Sequence, residues 1–323
     1  MVHNMSNPIT ELPTFKVNDS TKINCFLDCP RKYFYEFILN WRQDTPHHDL
    51  EFGEAWHQGQ EHLLKHGYDD VQGAMEKFLD HYRKHFSEHT DPDYAPKNPG
   101  YAASGYVQYV KQYITDRHDY ETLYTEVAGS VMVSPGLHLS FRLDAIVRHR
   151  ATGLVRFREH KTTKSNNSIW YKQWPLAIQL GTYTYVMHCM YDQAEIYGGE
   201  VNGSIFTKKE VTHVRVPVKK TIEAMNAWHF DVMYKLREIE QNFDMLSRQT
   251  TTGKVMEAFP RNPNSCTKFM SATNSQYNGC PYHEFCCAWA NPLSRCDEIP
   301  DGFVEFIWNP ADREKEADKV VHF

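Results

Sequence analysis

Two adjacent runs in the middle of the chain constrain its fold more than any other feature. Residues 141–147 (FRLDAIV) and 154–161 (LVRFREHK) are rich in apolar and β-branched residues, and the polar connection 148–153 has hairpin length. Side chains alternate faces along a strand, so Glu159 and Lys161 emerge on the same face of the second run. The pattern predicts neighbouring strands of one sheet, with a carboxylate and an ammonium where the apolar stripe ends.

An isolated acid interrupts the first of these strands. Asp144 lies in mid-strand among apolar residues, next to the predicted strand that carries Glu159 and Lys161. Carboxylate oxygens are the ligands that Mg²⁺ and Mn²⁺ prefer, and two such ions can activate water and stabilise a leaving oxygen. We therefore predict a metal site with Asp144 and Glu159 as ligands and Lys161 as the group that orients water or neutralises a phosphate. This constellation suggests phosphodiester hydrolysis.

Four other residues can serve such a site. His57 lies on a predicted helix at 52–66 and can donate a nitrogen ligand, although a surface or core histidine is the alternative. Gln179 and Tyr183 share one helix face at i, i+4 and can reach a phosphate or a base, with an ordinary helix surface as the alternative. Trp170 can stack on an unpaired base, with core packing as the alternative.

Charge is unevenly distributed along the chain. The net charge is −6, yet residues 142–172 hold eight Lys or Arg and two acids, a net +6 that leaves −12 elsewhere. A basic stripe beside the predicted ligands suits a phosphate backbone, and it makes Lys164 a predicted substrate-binding residue. The alternative is a solvated strand face.

The order of predicted elements indicates a mixed α/β (α+β) fold, with helices around a central mixed sheet. We predict helices at 19–41 (broken at Cys29-Pro30), 52–66, 72–85, 101–120, 175–191 and 221–249, strands at 122–133, 137–149, 154–161, 203–207 and 212–218, and a frayed charged tail at 312–319. The composition, 41% hydrophobic and 24% charged, is that of an ordinary globular protein, and no run reaches the roughly 18 apolar residues of a membrane span. Residues 1–13 lack the layout of a signal peptide, so we expect a cytoplasmic location.

Eight cysteines are many for such a chain. They are Cys25, Cys29, Cys189, Cys266, Cys280, Cys286, Cys287 and Cys296. Without a secretion signal, a metal or cluster is a stronger interpretation than disulfides. We expect Cys189 and Cys296 to be core or incidental.

Five motifs in a fixed order resemble the RecB-like branch of the PD-(D/E)XK nuclease superfamily. They are CPRKYFYE (29–36), GEAWHQGQE (53–61), FRLDAI (141–146), EHKTTK (159–164) and QLGTY (179–183), and the resemblance covers about residues 19–290. It implies a restriction-endonuclease-like core. It also implies His57, Asp144, Glu159 and the His160 backbone carbonyl as metal ligands, Lys161 as the catalytic lysine, and Gln179 and Tyr183 as a substrate-orienting pair. Many relatives carry Asp-Tyr-Lys where this chain has Glu159-His160-Lys161.

The same resemblance implies a [4Fe–4S] cluster that ties the two ends of the chain together. One cysteine near the start and three near the end match the iron–sulfur members of the branch, which points to Cys29, Cys266, Cys280 and Cys286. The spacing from Cys266 to Cys280 is longer than in those relatives. Cys25 is therefore an alternative to Cys29 and Cys287 to Cys286, and zinc or unliganded thiols are alternatives to the cluster.

We expect five segments: an N-terminal tail (1–18), a helical region (19–120), a nuclease core (121–255), a cysteine clasp (256–296) and a C-terminal tail (297–323). The resemblance implies a Mg²⁺- or Mn²⁺-dependent exonuclease acting on single-stranded DNA or duplex ends in a prokaryotic or phage-infected cell. Its expected partners are proteins of recombination, repair or CRISPR-associated processing. A structure-specific endonuclease and a non-catalytic DNA-binding scaffold are the alternatives.

Overall fold

The computed structural model describes residues 17–247, 255–266, 279–292 and 298–323. The chain divides into two compact units, each assembled from separate stretches. The first takes Met1–Thr45, Met132–Ser140 and His229–Asp312, and the second takes Pro46–Val131, Phe141–Trp228 and Arg313–Phe323. The segment boundaries that we expected from the sequence stay predictions.

Helices and strands follow the sequence pattern closely. The helices are α1 (Ser20–Asp28), α2 (Pro30–Tyr33), α3 (His48–His66), α4 (Val71–Tyr82), α5 (Pro99–Gln112), α6 (Asp116–Asp119), α7 (Ser168–Lys172), α8 (Ile178–Met190), α9 (Ile222–Ser247), α10 (Val255–Ala258), α11 (Pro263–Cys266) and α12 (His283–Ala288). The strands are β1 (Trp41–Gln43), β2 (Tyr120–Ser134), β3 (Leu137–His149), β4 (Val155–Thr163), β5 (Ile196–Phe206), β6 (Val211–Val218), β7 (Phe303–Glu305) and β8 (Lys319–His322).

A six-stranded mixed sheet of order β6-β5-β4-β3-β2-β8 forms the centre of the second unit. β3 and β4 are antiparallel, β4 and β5 are parallel, and β2 and β8 are parallel. Parallel neighbours need a long crossover, and α7 and α8 supply it between β4 and β5. The predicted mixed α/β fold with a central sheet is confirmed, and it is consistent with a restriction-endonuclease-like fold.

An aromatic core holds α3, α4 and α5 together in the second unit. Trp56 stacks on Tyr106 with ring centroids 4.1 Å apart, and both side chains are fully buried. A Cβ at Gly59 would lie 2.0 Å from the Tyr106 hydroxyl, so only glycine permits this approach. α3 ends at Gly67, whose φ of 106° requires glycine. This packing fixes α3, the helix that carries His57.

The first unit is built around aromatic side chains of α1, α2 and the segments near α10 and α12. Asp19 caps α1 by accepting a hydrogen bond from the Lys22 N–H at 2.8 Å. The predicted helix at 19–41 is broken at Cys29–Pro30, as expected, and residues 34–38 continue it as a π-helix that ends at Ile38, before β1 begins at Trp41. The Tyr282 hydroxyl donates to the Trp41 carbonyl at 2.6 Å, and this bond fixes α12 against β1.

The charged run near the C-terminus corrects one expectation. Residues 312–319, expected as a frayed tail, instead form a 3₁₀ helix (Pro310–Glu316) followed by β8. β8 pairs with β2 from Val127–Lys319 to Ser130–His322. Residues 319–322 form a strand because their backbone pairs with the otherwise open edge of β2, and the local charge pattern does not prevent this. β5 also begins earlier than predicted, at Ile196 rather than Gly203.

No helix among the described residues is both long and apolar enough to cross a bilayer. Cys296, expected to be core or incidental, lies outside the described residues, and Cys189 is exposed.

Candidate active site

The β3–β4 pair brings the two predicted carboxylates together. Ala145 of β3 pairs with Arg158 of β4, and Asp144 and Glu159 are the next residues along from that pair. Both carboxylates are buried: Asp144 is 8% exposed and Glu159 1%. Lys161 follows two residues after Glu159, on the same strand face, with about a quarter of its side chain exposed. The hairpin predicted from sequence therefore places all three groups as expected.

Glu159 is held by two donors through one of its oxygens. Its Oε1 accepts from Lys161 Nζ at 2.5 Å and from Gln179 Nε2 at 2.9 Å. Its Oε2 is buried and accepts no hydrogen bond from the described residues. A buried carboxylate oxygen without a hydrogen bond costs free energy unless it binds a cation, so this oxygen is suited to serve as a metal ligand.

His57 joins the carboxylates from α3. Its Nδ1 lies 3.4 Å from Asp144 Oδ1, and its side chain is 21% exposed. The backbone N–H of His160 donates to the other oxygen, Asp144 Oδ2, at 2.6 Å. The His160 imidazole points to the opposite face of β4, where its Nδ1 lies 2.9 Å from Asn202 Nδ2. The His160 ring also lies edge-on to the His57 ring, with centroids 5.8 Å apart, and the His160 carbonyl as a metal ligand stays a prediction.

The charges of this cluster are strongly coupled. Burial alone would raise the pKa of Asp144, but the His57 charge and its hydrogen bond hold that pKa well below the usual range. Burial and the neighbouring Asp144 charge raise the pKa of Glu159 despite the opposing effect of Lys161. Two carboxylates this close resist double ionisation, and a bound cation would relieve that repulsion.

Gln179 and Tyr183 act on the cluster from α8. Gln179 Nε2 lies 2.8 Å from the Tyr183 hydroxyl, and that hydroxyl donates to the Arg142 carbonyl on β3. Tyr183 is 2% exposed, and its ring packs edge-on against Phe157 of β4. The pair predicted to orient substrate thus contacts protein groups and holds Glu159 in place.

Two acids in this cluster, Glu126 and Glu54, were not predicted from the sequence, and both lie beside Arg142 of the basic stripe. Glu126 of β2 is 4% exposed and pairs with Arg142 Nε, and Glu54 of α3 lies 3.9 Å from Arg142 Nη2. Burial and the Asp144 charge raise the pKa of Glu126. The signal that singled out Asp144, an isolated acid within an apolar strand, is also present at Glu126 and could have found it.

Two arginines of the basic stripe expected beside the ligands are paired with acids and do not form a free phosphate-binding surface. Arg156 and Arg158 project from the face of β4 opposite Glu159, because they differ from it by odd numbers of residues. Arg158 is 1% exposed and contacts Asp116 at 3.0 Å and Glu200 at 2.6 Å, and Arg156 contacts Glu200 at 3.2 Å. A charge count along the sequence missed these acids, which α6 and β5 supply.

Two predicted substrate-binding residues lie outside the cluster. Lys164 is 39% exposed at its side chain and pairs with Asp49 at 3.1 Å. Trp170 is 7% exposed, and its indole packs edge-on against Trp174 with centroids 5.2 Å apart. A Cβ at Gly203 would lie 2.3 Å from the Trp170 ring. Trp170 is therefore in the core, which was the alternative to base stacking.

Three cysteines of the first unit line one cavity. Cys29, Cys266 and Cys280 line it together with Asp28, Lys32, Ser265 and Pro281. Cys286 lies close enough to Cys280 and Cys29 for their charges to raise its pKa, after the larger effect of burial. The alternatives have other neighbours. Cys25 Sγ lies 3.8 Å from Glu36 Oε2, and Cys287 is exposed with its Sγ 3.8 Å from His283 Nε2.

The comparison with protein families covers both the carboxylate cluster and the cysteines described above. The chain matches the family model of the PD-(D/E)XK nuclease superfamily over residues 20–287. Among solved structures, it is similar to one titled "Crystal structure of SSO0001", with 15% identity, 56% of this chain and 84% of that chain covered, and a TM-score of 0.26. No curated protein matches the chain. The matched range contains His57 to Tyr183 and the cysteines from Cys29 to Cys286.

Proposed function

The chain belongs to the PD-(D/E)XK nuclease superfamily, and we propose that it is a Mg²⁺- or Mn²⁺-dependent DNA exonuclease acting on single strands or duplex ends. The observation that carries the proposal is the buried Asp144–Glu159 pair on adjacent strands, with Lys161 2.5 Å from Glu159 and His57 3.4 Å from Asp144. Acids that share a buried site with a lysine and a histidine fit phosphodiester hydrolysis better than a structural role, since burying them is costly.

The donor set suits a hard divalent cation. Asp144, Glu159 through its unpartnered Oε2, and His57 would hold Mg²⁺ or Mn²⁺, with the His160 carbonyl as a further ligand. When bound, such an ion polarises the phosphodiester and lowers the pKa of water at the site. The protein holds these donors by short hydrogen bonds from the His160 backbone and from Gln179.

Lys161 has the chemistry to neutralise a scissile phosphate. Burial lowers its pKa, but the charges of Glu159 and Asp144 raise it overall, so the ammonium form is favoured. A quarter of the side chain is exposed, which leaves it reachable by substrate. An ammonium held beside the reacting phosphate stabilises the charge that develops in the transition state.

The proposal is tested by an anaerobic nuclease assay with Mn²⁺ on end-labelled linear and closed circular single-stranded DNA. Wild type is compared with Lys161→Ala and with Lys111→Ala, an exposed lysine on α5 that serves as the matched control. We expect Lys161→Ala to lose about 10²–10³-fold in rate on the linear strand, while Lys111→Ala keeps wild-type activity. Sparing of the circle supports an exonuclease.

Other results would replace this proposal. Lysine-dependent cutting of the circle would make the protein a structure-specific endonuclease. Wild-type inactivity with intact DNA binding would make it a non-catalytic scaffold. Recombination, repair and CRISPR-associated processing in a prokaryotic cytoplasm all provide DNA ends as substrates. We propose proteins of these processes as partners.

We also propose that Cys29, Cys266, Cys280 and Cys286 hold a [4Fe–4S] cluster. The support is that Cys29, Cys266 and Cys280 line one cavity, and that Cys286 follows Cys280 by six residues, on α12. Zinc bound to four thiolates brings the sulfurs to about 3.8 Å from one another. Among the described residues, no three cysteine sulfurs lie within 4.8 Å of one another, so the choice between the cluster and zinc rests on the metal content of the purified protein.

Iron and acid-labile sulfide are measured in anaerobically purified protein, for wild type, Cys280→Ala and the exposed-cysteine control Cys189→Ala. We expect about four irons and four sulfides per chain in wild type and in Cys189→Ala, and a loss of both in Cys280→Ala. One zinc per chain without iron would support the zinc alternative, and no metal in any variant would leave unliganded thiols.

A further inference from the structure

A second group of metal-binding side chains lies on α3 and at the end of α4. Within the described part of the chain, Glu51, His81 and His85 are the three His, Cys, Asp or Glu residues whose ligand atoms all fall within 4.8 Å of one another. Glu51 Oε2 lies 3.0 Å from His81 Nε2 and 3.2 Å from His85 Nε2. The imidazoles, at i, i+4, have ring centroids 5.4 Å apart.

We propose that Glu51, His81 and His85 form a binding site for a divalent transition metal such as Zn²⁺ or Co²⁺. Zinc binds nitrogen and carboxylate oxygen at about 2.0–2.2 Å, so neighbouring ligand atoms of a tetrahedral site lie about 3.3 Å apart. The two observed oxygen–nitrogen distances of 3.0 and 3.2 Å are close to that value. Two imidazoles and one carboxylate converge here on one point.

The donor set separates this site from the one around Asp144. Two imidazole nitrogens favour zinc, cobalt or nickel, whereas Mg²⁺ prefers oxygen ligands. Glu51 precedes His57 by six residues on α3, a distance of about 9 Å along the helix axis. The inference therefore does not depend on the proposed nuclease activity.

The exposure of the group suits an ion with an open coordination position. The exposed fractions of the Glu51, His81 and His85 side chains are 16%, 20% and 32%, so solvent reaches the group and can supply the remaining ligand. His62 and Asp70 give a contrast in the same unit, since that contact joins one imidazole to one carboxylate at 2.7 Å. An ordinary hydrogen bond explains that pair, while the Glu51 group offers the three protein donors of a metal site.

A bound metal would fasten two helices of the second unit. Glu51 lies in the first turn of α3, His81 in the last turn of α4, and His85 just beyond the end of α4. His85 is held there by a hydrogen bond from its N–H to the Tyr82 carbonyl at 3.2 Å. A metal that binds the folded state alone raises its stability by mass action, so the site predicts metal-dependent thermal stability.

The test titrates the full-length chain with Co²⁺ and follows visible absorption. Cobalt bound by imidazole and carboxylate shows ligand-field bands without the thiolate-to-metal charge transfer that cobalt on cysteine would show, which separates this group from the cysteines. Variants of the Glu51 group separate it from the site around Asp144. The variants are His81→Ala, His85→Ala and Glu51→Gln, with His89→Ala as an exposed-histidine control. We expect the bands in wild type and His89→Ala, and at least tenfold weaker binding in the other three.

Thermal unfolding with and without Zn²⁺ gives a second readout. We expect Zn²⁺ to raise the Tm of wild type and of His89→Ala by more than it raises the Tm of His85→Ala. His85 is chosen because its side chain is partly exposed, so its replacement by alanine should leave the protein folded. The proposal would be overturned if wild type, His81→Ala and His85→Ala bound cobalt with equal affinity and showed equally intense bands without charge transfer. The absence of such bands in wild type would overturn it as well.

Discussion

Arg142 of β3 holds the acidic cluster together through contacts with β2, α3 and α8. Its guanidinium pairs with Glu126 and lies 3.9 Å from Glu54, and its carbonyl accepts the Tyr183 hydroxyl. The Arg142 side chain is 12% exposed and that of Glu126 is 5%. A buried pair of this kind is asymmetric, because removing the cation leaves carboxylates uncompensated, whereas a carboxyl with a raised pKa can give up its charge.

This asymmetry predicts different costs for the two partners. Arg142→Met should lower the free energy of unfolding by about 3–5 kcal/mol, because it removes the buried cation that Glu126 and Glu54 share. Glu126→Gln should cost less than about 1.5 kcal/mol, because burial and Asp144 already raise the pKa of Glu126 and favour its neutral form. Urea unfolding at pH 7 in EDTA measures both values. Equal losses in the two variants would contradict the argument.

At the scale of the elements, a buried ionic network joins α6 to three strands. Asp116 of α6 contacts Arg158 of β4 at 3.0 Å and also Arg215 of β6, and Glu200 of β5 contacts Arg158 at 2.6 Å. The Tyr68 hydroxyl donates to Asp116 at 3.0 Å. The network occupies the face of β4 opposite Glu159, so it fixes the strand that carries the candidate catalytic residues.

Removing the acid at the centre of this network should be costly. We expect Asp116→Asn to lower the free energy of unfolding by about 3–5 kcal/mol, because two buried guanidinium groups lose their shared carboxylate. Asp119→Asn, an exposed change on the same short helix, is the matched control and should cost less than about 0.5 kcal/mol. Guanidinium chloride unfolding of the three proteins at pH 7 gives the comparison, and similar midpoints for both variants would refute it.

His213 links β6 to α5 and gives this contact a pH dependence. Its Nε2 lies 3.0 Å from the Gly105 carbonyl and its Nδ1 3.0 Å from Ser204 Oγ, and burial lowers its pKa to about 4. The unfolded chain, with a pKa near 6.5, then binds the proton more readily than the folded protein does. Stability from this group is complete above pH 6.5 and is lost as the pH falls from 6.5 through 4.

The corresponding measurement compares wild type with His213→Gln, which cannot titrate in this range. We expect the free energy of unfolding of wild type to fall more steeply than that of the variant between pH 6.5 and pH 4, by on the order of 1–3 kcal/mol. Urea denaturation at half-unit pH intervals determines both slopes. Parallel slopes would show that His213 does not contribute.

At the scale of the whole molecule, each compact unit is assembled from distant parts of the chain. The second unit takes its last strand, β8, from the C-terminus, and β8 pairs with β2 across almost 200 residues of sequence. Gly129 permits the close approach, since its φ is 148° and a Cβ there would lie 1.7 Å from the Val321 carbonyl oxygen. β8 also covers the backbone edge of β2.

Removal of this strand should affect the whole unit. A chain ending at Asp318 keeps the Asp318 contact with Lys65 but loses β8, and it exposes the edge of β2. We expect a lower Tm and aggregation at concentrations where wild type stays monodisperse, because unpaired strand edges pair with other chains. Light scattering together with thermal unfolding tests this. Unchanged behaviour of both would show that β8 does not protect the edge.

The sequence predicted those parts of the molecule that depend on local periodicity. The alternation of β3 and β4 placed Asp144 and Glu159 on neighbouring strands, and the i, i+4 spacing placed Gln179 and Tyr183 on one face of α8. These placements hold because strand pleat and helix pitch fix the direction of each side chain relative to its neighbours in sequence. The central mixed sheet follows from the same patterns.

Only the tertiary structure decided which charges are paired. Arg156, Arg158 and Arg142 were counted as a basic stripe, yet their partners Glu200, Asp116 and Glu126 come from elements distant in sequence. The pairing of β8, the core position of Trp170 and the convergence of Glu51 on two histidines are also products of packing between elements. A local sequence pattern fixes the direction of a side chain. The electrostatic energy of a charged side chain depends on which groups from other elements contact it, and only the folded structure determines those contacts.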